Sequence, residues 1–124
     1  MFTAQAARPK SGENTWLWLL KIVSGALIIL VLGLHLVVNH FLAEGGLLTW
    51  ADVVVYYQNP LIPIMEITFL ICVVSHALVG LRSIVLDLHP SRSTLTAINW
   101  LFSLVGAGAI VYGIWLVFAV VAQG

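Results

Sequence analysis

Charged residues are scarce in this chain. Aspartate, glutamate, lysine and arginine make up 8% of its 124 residues, whereas a soluble globular domain carries about 25%. Hydrophobic residues reach 61%, and the mean hydropathy is +1.08. Five basic and five acidic side chains give a formal net charge of zero, so nothing suggests nucleic acid or an acidic partner. The composition predicts a membrane protein.

Cysteine is almost absent as well, since Cys72 is the single one. One cysteine excludes an internal disulfide. The lack of CxxC and CxxCH spacings argues against an iron–sulfur cluster and a covalently attached c-type haem. Cys72 lies in the middle of an apolar run, where an unpaired cysteine packs as a small hydrophobic residue. We therefore interpret Cys72 as a packing residue.

Three apolar segments dominate the chain, at about residues 16–42, 60–86 and 95–122. Each is longer than the ~20 residues needed to cross ~30 Å of hydrocarbon. Backbone groups must be satisfied internally in lipid, so the segments must be helices. The predicted fold class is an all-α membrane protein, with three transmembrane helices in residues 16–124 after a polar N-terminal segment, residues 1–15. The first run lacks an A-x-A-like cleavage pattern at its end, so we expect a retained span.

The connections carry helix-start signals. Thr49 and Asp52 form a weak capping box, which predicts a short interfacial helix from about residue 50 to 57. The second connection is polar, and Ser93 or Thr94 is the expected N-cap of the third span.

Small residues mark the third span: Gly106, Ala107, Gly108, Ala109 and Gly113. Small residues let helices approach closely in membranes. Helix packing alone explains them, and the alternative is a groove beside a flat cofactor.

The basic residues predict the orientation. They are Arg8, Lys10, Lys21, Arg82 and Arg92. With three spans, all five lie on or near the side of the N-terminus, which the positive-inside rule makes cytoplasmic. We therefore expect a multi-pass protein of the cytoplasmic (inner) membrane, with its N-terminus in the cytoplasm and its C-terminus outside.

Two histidines, His35 and His76, lie deep inside the first and second spans. Ionisable side chains in a membrane are costly and usually functional. If the first span meets the outer interface near Leu42, His35 lies about 10 Å inside it, and His76 lies roughly 24 Å below the same interface if the second span begins near Pro60. A difference of ~14 Å in depth means that the two imidazoles cannot ligate one iron. Each would serve a separate haem with a second ligand from another chain, or would be a hydrogen-bonded packing residue.

Each histidine shares its helix face with small or polar residues. On the first span, the face holds Lys21, Ser24, Ile28, His35 and Asn39; on the second, it holds Cys72, His76, Gly80, Ser83 and Asp87. Gly80, one turn from His76, leaves space for a porphyrin edge.

Two motifs carry a family resemblance. The stretch HLVVNHF at residues 35–41, followed by HALVGL at residues 76–81, resembles the haem-bearing membrane anchors of succinate:quinone oxidoreductases and fumarate reductases, that is, of respiratory complex II. The resemblance covers about residues 16–89. Three spans in a chain of this length match the smaller anchors of enzymes that have two anchor chains.

The resemblance implies a three-helix anchor subunit of succinate dehydrogenase that is not catalytic alone. It would pair with a sister anchor subunit and fix the flavoprotein and iron–sulfur subunits to the membrane, with electrons passing from succinate to quinone. His76 would be an axial ligand of a b-type haem near the cytoplasmic side, and His35 of a second, distal haem. His40 is expected to be an interfacial partner, with a swap for His35 as the alternative.

The resemblance also implies a quinone site at the cytoplasmic ends of the first two spans. Lys21, Ser24, Arg82 and Asp87 are the residues expected to contact quinone or a haem propionate. Snorkelling to the interface is the alternative for Lys21 and Arg82. Because Leu88 follows Asp87 where some members have tyrosine, the main quinone ligand is expected on the sister subunit.

Two other functions are compatible with the sequence. One is a haem-free structural anchor with a quinone site. The other is a small transporter or channel subunit with His35, His76 and Glu66 as a proton relay, although the chain shows no internal repeat of the kind transporters use. Glu66 itself is interpreted either as part of a proton path near the outer haem or as an interfacial side chain.

Overall fold

The computed structural model describes residues 14–42, 45 and 48–124, apart from the side chain of Asn39. The basic residues Arg8 and Lys10 and the polar segment before residue 14 lie outside the described residues. Within them the chain is helical and has no strand. The elements are α1 (Thr15–Leu36), a π-helical segment (Val37–Leu42), α2 (Trp50–Tyr57), α3 (Leu61–Asp87) and α4 (Arg92–Val121).

Among the described residues, three helices are long and apolar enough to cross a membrane: Thr15–Leu42, Leu61–Asp87 and Arg92–Val121. The predicted fold class and the three spans are therefore confirmed. The first span differs from the expected single α-helix, because its last six residues are π-helical. At the change, the backbone N–H of Val37 donates to both Gly33 and Leu34 carbonyls. A π-turn changes the direction in which the following side chains leave the helix, and His40 lies in this segment.

The short helix α2 begins with the predicted capping box. The Thr49 hydroxyl accepts from the Asp52 backbone N–H at 3.3 Å, and the Asp52 carboxylate accepts from the Thr49 N–H at 2.8 Å. Hydrogen bonds from the Thr49 hydroxyl and from the Thr49 backbone lower the pKa of Asp52. At the other end of α2, the Gln58 side chain donates to the Val121 carbonyl at 3.1 Å, which ties α2 to the end of α4.

The N-cap of α4 is Ser91, so the expectation of Ser93 or Thr94 is wrong. The Ser91 hydroxyl accepts from the Thr94 N–H at 3.2 Å, and the helix already includes both later residues. Before this cap, His89 has a φ of 52°, a left-handed conformation that ends α3 and turns the chain back. Because several hydroxyl residues lie close together here, the sequence leaves the N-cap position ambiguous. The turn at His89 decides which of them caps α4.

Helix α3 lies in the middle of the bundle and packs against both α1 and α4, while the backbones of α1 and α4 do not approach each other in the described part of the chain. The core is small. Its buried side chains among the described residues are Ser24, Val31 and Val117. Large apolar side chains are exposed along all three long helices, as at Ile29 and Leu104, which is typical of a surface covered by lipid or by other chains.

Two of the small residues on α4 make the contact with α3. A Cβ at Gly106 would lie 2.7 Å from the Leu78 Cδ1 atom, and a Cβ at Gly113 would overlap the Leu70 side chain. Helix packing therefore accounts for these two glycines. Gly108 has open space beside it.

Candidate functional site

His76 crosses from α3 to the backbone of α1. Its Nδ1 atom lies 3.1 Å from the Lys21 carbonyl oxygen and 3.2 Å from the Ser24 hydroxyl oxygen. A carbonyl only accepts, so the contact with Lys21 requires Nδ1 to carry a proton. In the neutral imidazole the lone pair is then on Nε2.

Gly25 makes this contact possible. A Cβ at this position would lie 3.0 Å from the His76 Cε1 atom and 3.4 Å from its Nδ1 atom, so any side chain would push the ring away from α1. The neighbouring Ser24 is 3% exposed. The sequence pattern does not single out Gly25, although the same depth count that separates the histidines places it within about one turn of the level of His76.

Lys21 adds a second link between the same two helices. Its Nζ atom donates to the Ser83 hydroxyl at 2.9 Å, and that hydroxyl donates to the Val79 carbonyl at 3.1 Å. Lys21 is thus half-buried against α3 instead of simply extending to the interface. The predicted polar faces of the first two spans meet here.

The surroundings of His76 fit an axial haem ligand. Metal-ligating histidines commonly donate their other ring N–H to a backbone carbonyl, which fixes the tautomer, and Lys21 provides this acceptor. One turn along α3, a Cβ at Gly80 would meet nothing within 4 Å, so space is open beside the helix. The described residues contain no group of three or more His, Cys, Asp or Glu side chains that would hold a metal ion alone.

His35 lies in a different environment. Its Nε2 atom is 2.9 Å from the Glu66 carboxylate, and the two side chains are 23% and 16% exposed. Its ring stacks on Phe69 with centroids 5.6 Å apart. The Nδ1 atom is buried and has no hydrogen-bond partner among the described residues. An iron at Nε2 would have to displace Glu66, so His35 in this arrangement does not fit a haem ligand as His76 does.

The two histidines lie at clearly different levels of the bundle. His76 meets Lys21 and Ser24, whereas His35 meets Glu66. The positions of Glu66 and His76 on α3 differ by about 15 Å at ~1.5 Å per residue. The predicted offset is therefore found, and one iron cannot reach both rings. The sequence suggested a place for Glu66 near the outer haem but did not pair it with His35.

A cavity of about 400 Å³ lies beside the His35–Glu66 pair, under α2. It is lined by His35, His40, Leu48, Val53, Tyr56, Tyr57 and Glu66. Burial, and to a smaller extent the charge of Glu66, raises the pKa of both tyrosines. This level of the bundle thus gathers protonatable side chains from α1, α2 and α3, and His40 joins them through the π-helical segment.

Arg82 is not brought together with Lys21 and Ser24. The Arg82 Nε atom donates to the Asn99 side chain on α4 at 2.8 Å. Both side chains border a largely apolar groove of about 570 Å³ between the helices. Asp87 is exposed at the end of α3. The expected quinone-contacting residues are therefore split between two faces of α3.

Comparison with known proteins agrees with the resemblance. Residues 4–110 match the family described as succinate dehydrogenase/fumarate reductase transmembrane subunit. A relative from Archaeoglobus fulgidus, the succinate dehydrogenase hydrophobic membrane anchor subunit, is 31% identical over 103 residues, or 83% of this chain and 87% of the relative. No solved structure matches the chain significantly. The chain therefore belongs to the family of membrane anchor subunits of succinate dehydrogenase and fumarate reductase.

Proposed function

We propose that this anchor subunit binds a b-type haem through His76, together with a ligand from a sister anchor subunit, and helps form the quinone site of a succinate:quinone oxidoreductase. The proposal depends on how the His76 ring is held. Its Nδ1 atom is held by a backbone carbonyl of α1, which leaves the Nε2 lone pair for iron. Family membership supplies the context.

When bound, the haem would supply a one-electron carrier between the iron–sulfur subunit and quinone. The chain's own contribution is to ligate and orient the group with His76 and to keep water away from the ligand. No other histidine of α1, α3 or α4 lies at the level of His76 in the described part of the chain. The second axial ligand therefore has to come from the sister subunit.

We also propose a second, distal haem at His35, which requires the contact between His35 and Glu66 to open. Glu66 occupies the Nε2 atom of His35 at 2.9 Å, and the carboxylate would have to move before iron could bind there. The haem content of the complex tests this part separately. One b-type haem per complex that is lost in His76→Ala would assign the haem to His76, and two would require Glu66 to leave His35.

For quinone, the chain offers Lys21 at the N-terminal end of the bundle, with Arg82 and Asp87 on the same end. By the positive-inside rule this end faces the cytoplasm, where the iron–sulfur and flavoprotein subunits would dock. The exposed tryptophans Trp16 and Trp100 lie at this end too, as expected of side chains at headgroup level.

The test is His76→Ala in the complex purified with its partner subunits. The variant is expected to lose the b-type band of the haem on the cytoplasmic side in a reduced-minus-oxidised visible spectrum. His89→Asn is the matched control, since it also removes a histidine and asparagine tolerates the left-handed backbone at this position. An unchanged spectrum in His76→Ala would contradict the ligand assignment.

The purified complex also distinguishes this function from a haem-free anchor and from a proton-relay subunit. Absence of any b-type band in the unaltered complex would favour the haem-free anchor. A proton relay is favoured locally by the His35–Glu66 contact, but apolar Ile28 and Val31 lie on α1 between that pair and His76. Purification without flavoprotein and iron–sulfur partners would favour the relay.

A further inference from the structure

We propose that a short stretch of α1, from Leu20 to Gly25, positions His76 as a ligand, and that Ser24 acts through His76 instead of contacting quinone. The Lys21 carbonyl and the Ser24 hydroxyl hold the Nδ1 proton, and Gly25 sets how closely the ring approaches α1. This inference rests on the proposed haem-binding function and names the residues that would tune it.

The hydroxyl of Ser24 has one proton and three neighbours. The Leu20 carbonyl lies at 2.6 Å, the Lys21 carbonyl at 3.2 Å and the His76 Nδ1 atom at 3.2 Å. The shortest contact takes the proton, as is usual for a helical serine that bonds back to the carbonyl four residues earlier. The remaining lone pairs of Ser24 then face Nδ1 as an acceptor.

The opposite tautomer would lose hydrogen bonds. If Nε2 carried the proton, the Nδ1 lone pair would face the Lys21 carbonyl oxygen at 3.1 Å, and Ser24 would have to give up Leu20 to donate to it. Ser24 is 3% exposed, so water cannot compensate. Two acceptors at Nδ1 therefore fix the Nδ1–H tautomer.

Gly25 fixes the distance at which this happens. A methyl group there would lie 3.0 Å from Cε1 and 3.4 Å from Nδ1 of His76, so the ring would have to retreat from the Lys21 carbonyl. Gly25 thus decides whether the Ser24 hydroxyl and the Lys21 carbonyl can both reach the Nδ1 atom of His76.

Donation from Nδ1–H to these acceptors makes the ligating nitrogen more basic. A more basic ligand favours the oxidised iron. Losing the Ser24 acceptor should therefore shift the midpoint potential of this haem upward, while the KM for quinone stays unchanged because the serine is buried and its proton is already used.

The test compares Ser24→Ala, Ser24→Thr and Gly25→Ala in the purified complex. Ser24→Ala is expected to raise the haem midpoint potential and shift its low-spin electron paramagnetic resonance signal with no change in quinone KM, and Ser24→Thr should restore both. Gly25→Ala should lower the haem content. Ser75→Ala is the matched control, because Ser75 neighbours His76 in the chain but faces the other groove.

A raised quinone KM in Ser24→Ala, with unchanged potential and signal, would overturn the inference and make Ser24 a quinone contact. A second readout does not need haem: ¹⁵N NMR of histidine in the haem-depleted complex should show His76 protonated at Nδ1, and protonation at Nε2 would overturn the inference. If the unaltered complex holds no haem but shows this tautomer, the haem proposal fails and the positioning of His76 by α1 stands.

Discussion

Single side chains in this protein are held by contacts between α1 and α3 that the membrane cannot replace. His35 and Glu66 show this most directly. Their contact at 2.9 Å is only partly exposed, and the other ring nitrogen of His35 is already without a partner among the described residues. Removing one member leaves polar atoms in apolar surroundings, which costs more than an ordinary hydrogen bond contributes.

Glu66→Leu is therefore expected to destabilise the complex, by about 1–3 kcal/mol in the free energy of unfolding and toward the lower end because the pair is partly exposed. Glu66→Gln keeps a hydrogen-bonding group opposite Nε2 and serves as the control. Thermal unfolding of the detergent-solubilised complex measures both. Equal melting temperatures for the two variants would show that the contact does not contribute to stability.

Among the elements, the start of α2 depends on a local signal and the packing of α4 on tertiary contacts. The capping box of α2 is formed by two residues three positions apart, so the sequence predicts it. The fit of α4 against α3 depends on which glycines face Leu70 and Leu78, and the small residues alone do not reveal that.

The α2 cap has a defined pH dependence. Hydrogen bonds from Thr49 hold the pKa of Asp52 below its ordinary value of 3.8, so the cap is fully formed above about 3.8. Its contribution is lost as the pH falls through the lowered value in the folded state. The protection factors of the first α2 amides, which correct for the pH dependence of intrinsic hydrogen exchange, should therefore be constant near neutral pH and fall at strongly acidic pH. Asp52→Asn should remove this fall; if it persists, another group is responsible.

Gly113→Ala should weaken the α3–α4 contact, because the added Cβ overlaps a terminal methyl group of Leu70 and lies 3.3 Å from its Cγ atom. Overpacking of this kind costs about 1–3 kcal/mol, against a gain of up to ~1 kcal/mol from the better helix propensity of alanine. Gly108→Ala is the control, since nothing lies within 4 Å of its Cβ position. A lower melting temperature is expected for the first variant only, and the reverse order would place the helix contact elsewhere.

As a whole molecule, the chain is a bundle of three long helices with α3 in the middle. Few of its described side chains are buried. Such a bundle buries little apolar surface within itself, and lipid or other chains would cover its exposed apolar side chains. The distribution of basic residues predicts an orientation with the N-terminus in the cytoplasm.

Cysteine labelling tests the orientation. In a Cys72→Ala background, Ser91→Cys reports on the α3–α4 connection and Gln123→Cys on the C-terminal end. A membrane-impermeant maleimide added to intact cells should label the second variant and not the first. Labelling of Ser91→Cys from outside would invert the topology and place the His76 level near the outer face.

The sequence by itself determined the three spans, the cap of α2 and the difference in level between His35 and His76, because apolar length, capping and rise per residue are local properties. It did not determine which atoms meet. The long helices are apolar nearly all round, and their few polar residues predict a face without predicting which atoms on it are in contact. Only packing against α3 brought His76 to the backbone of α1 through Gly25, paired Glu66 with His35 and turned Arg82 toward Asn99.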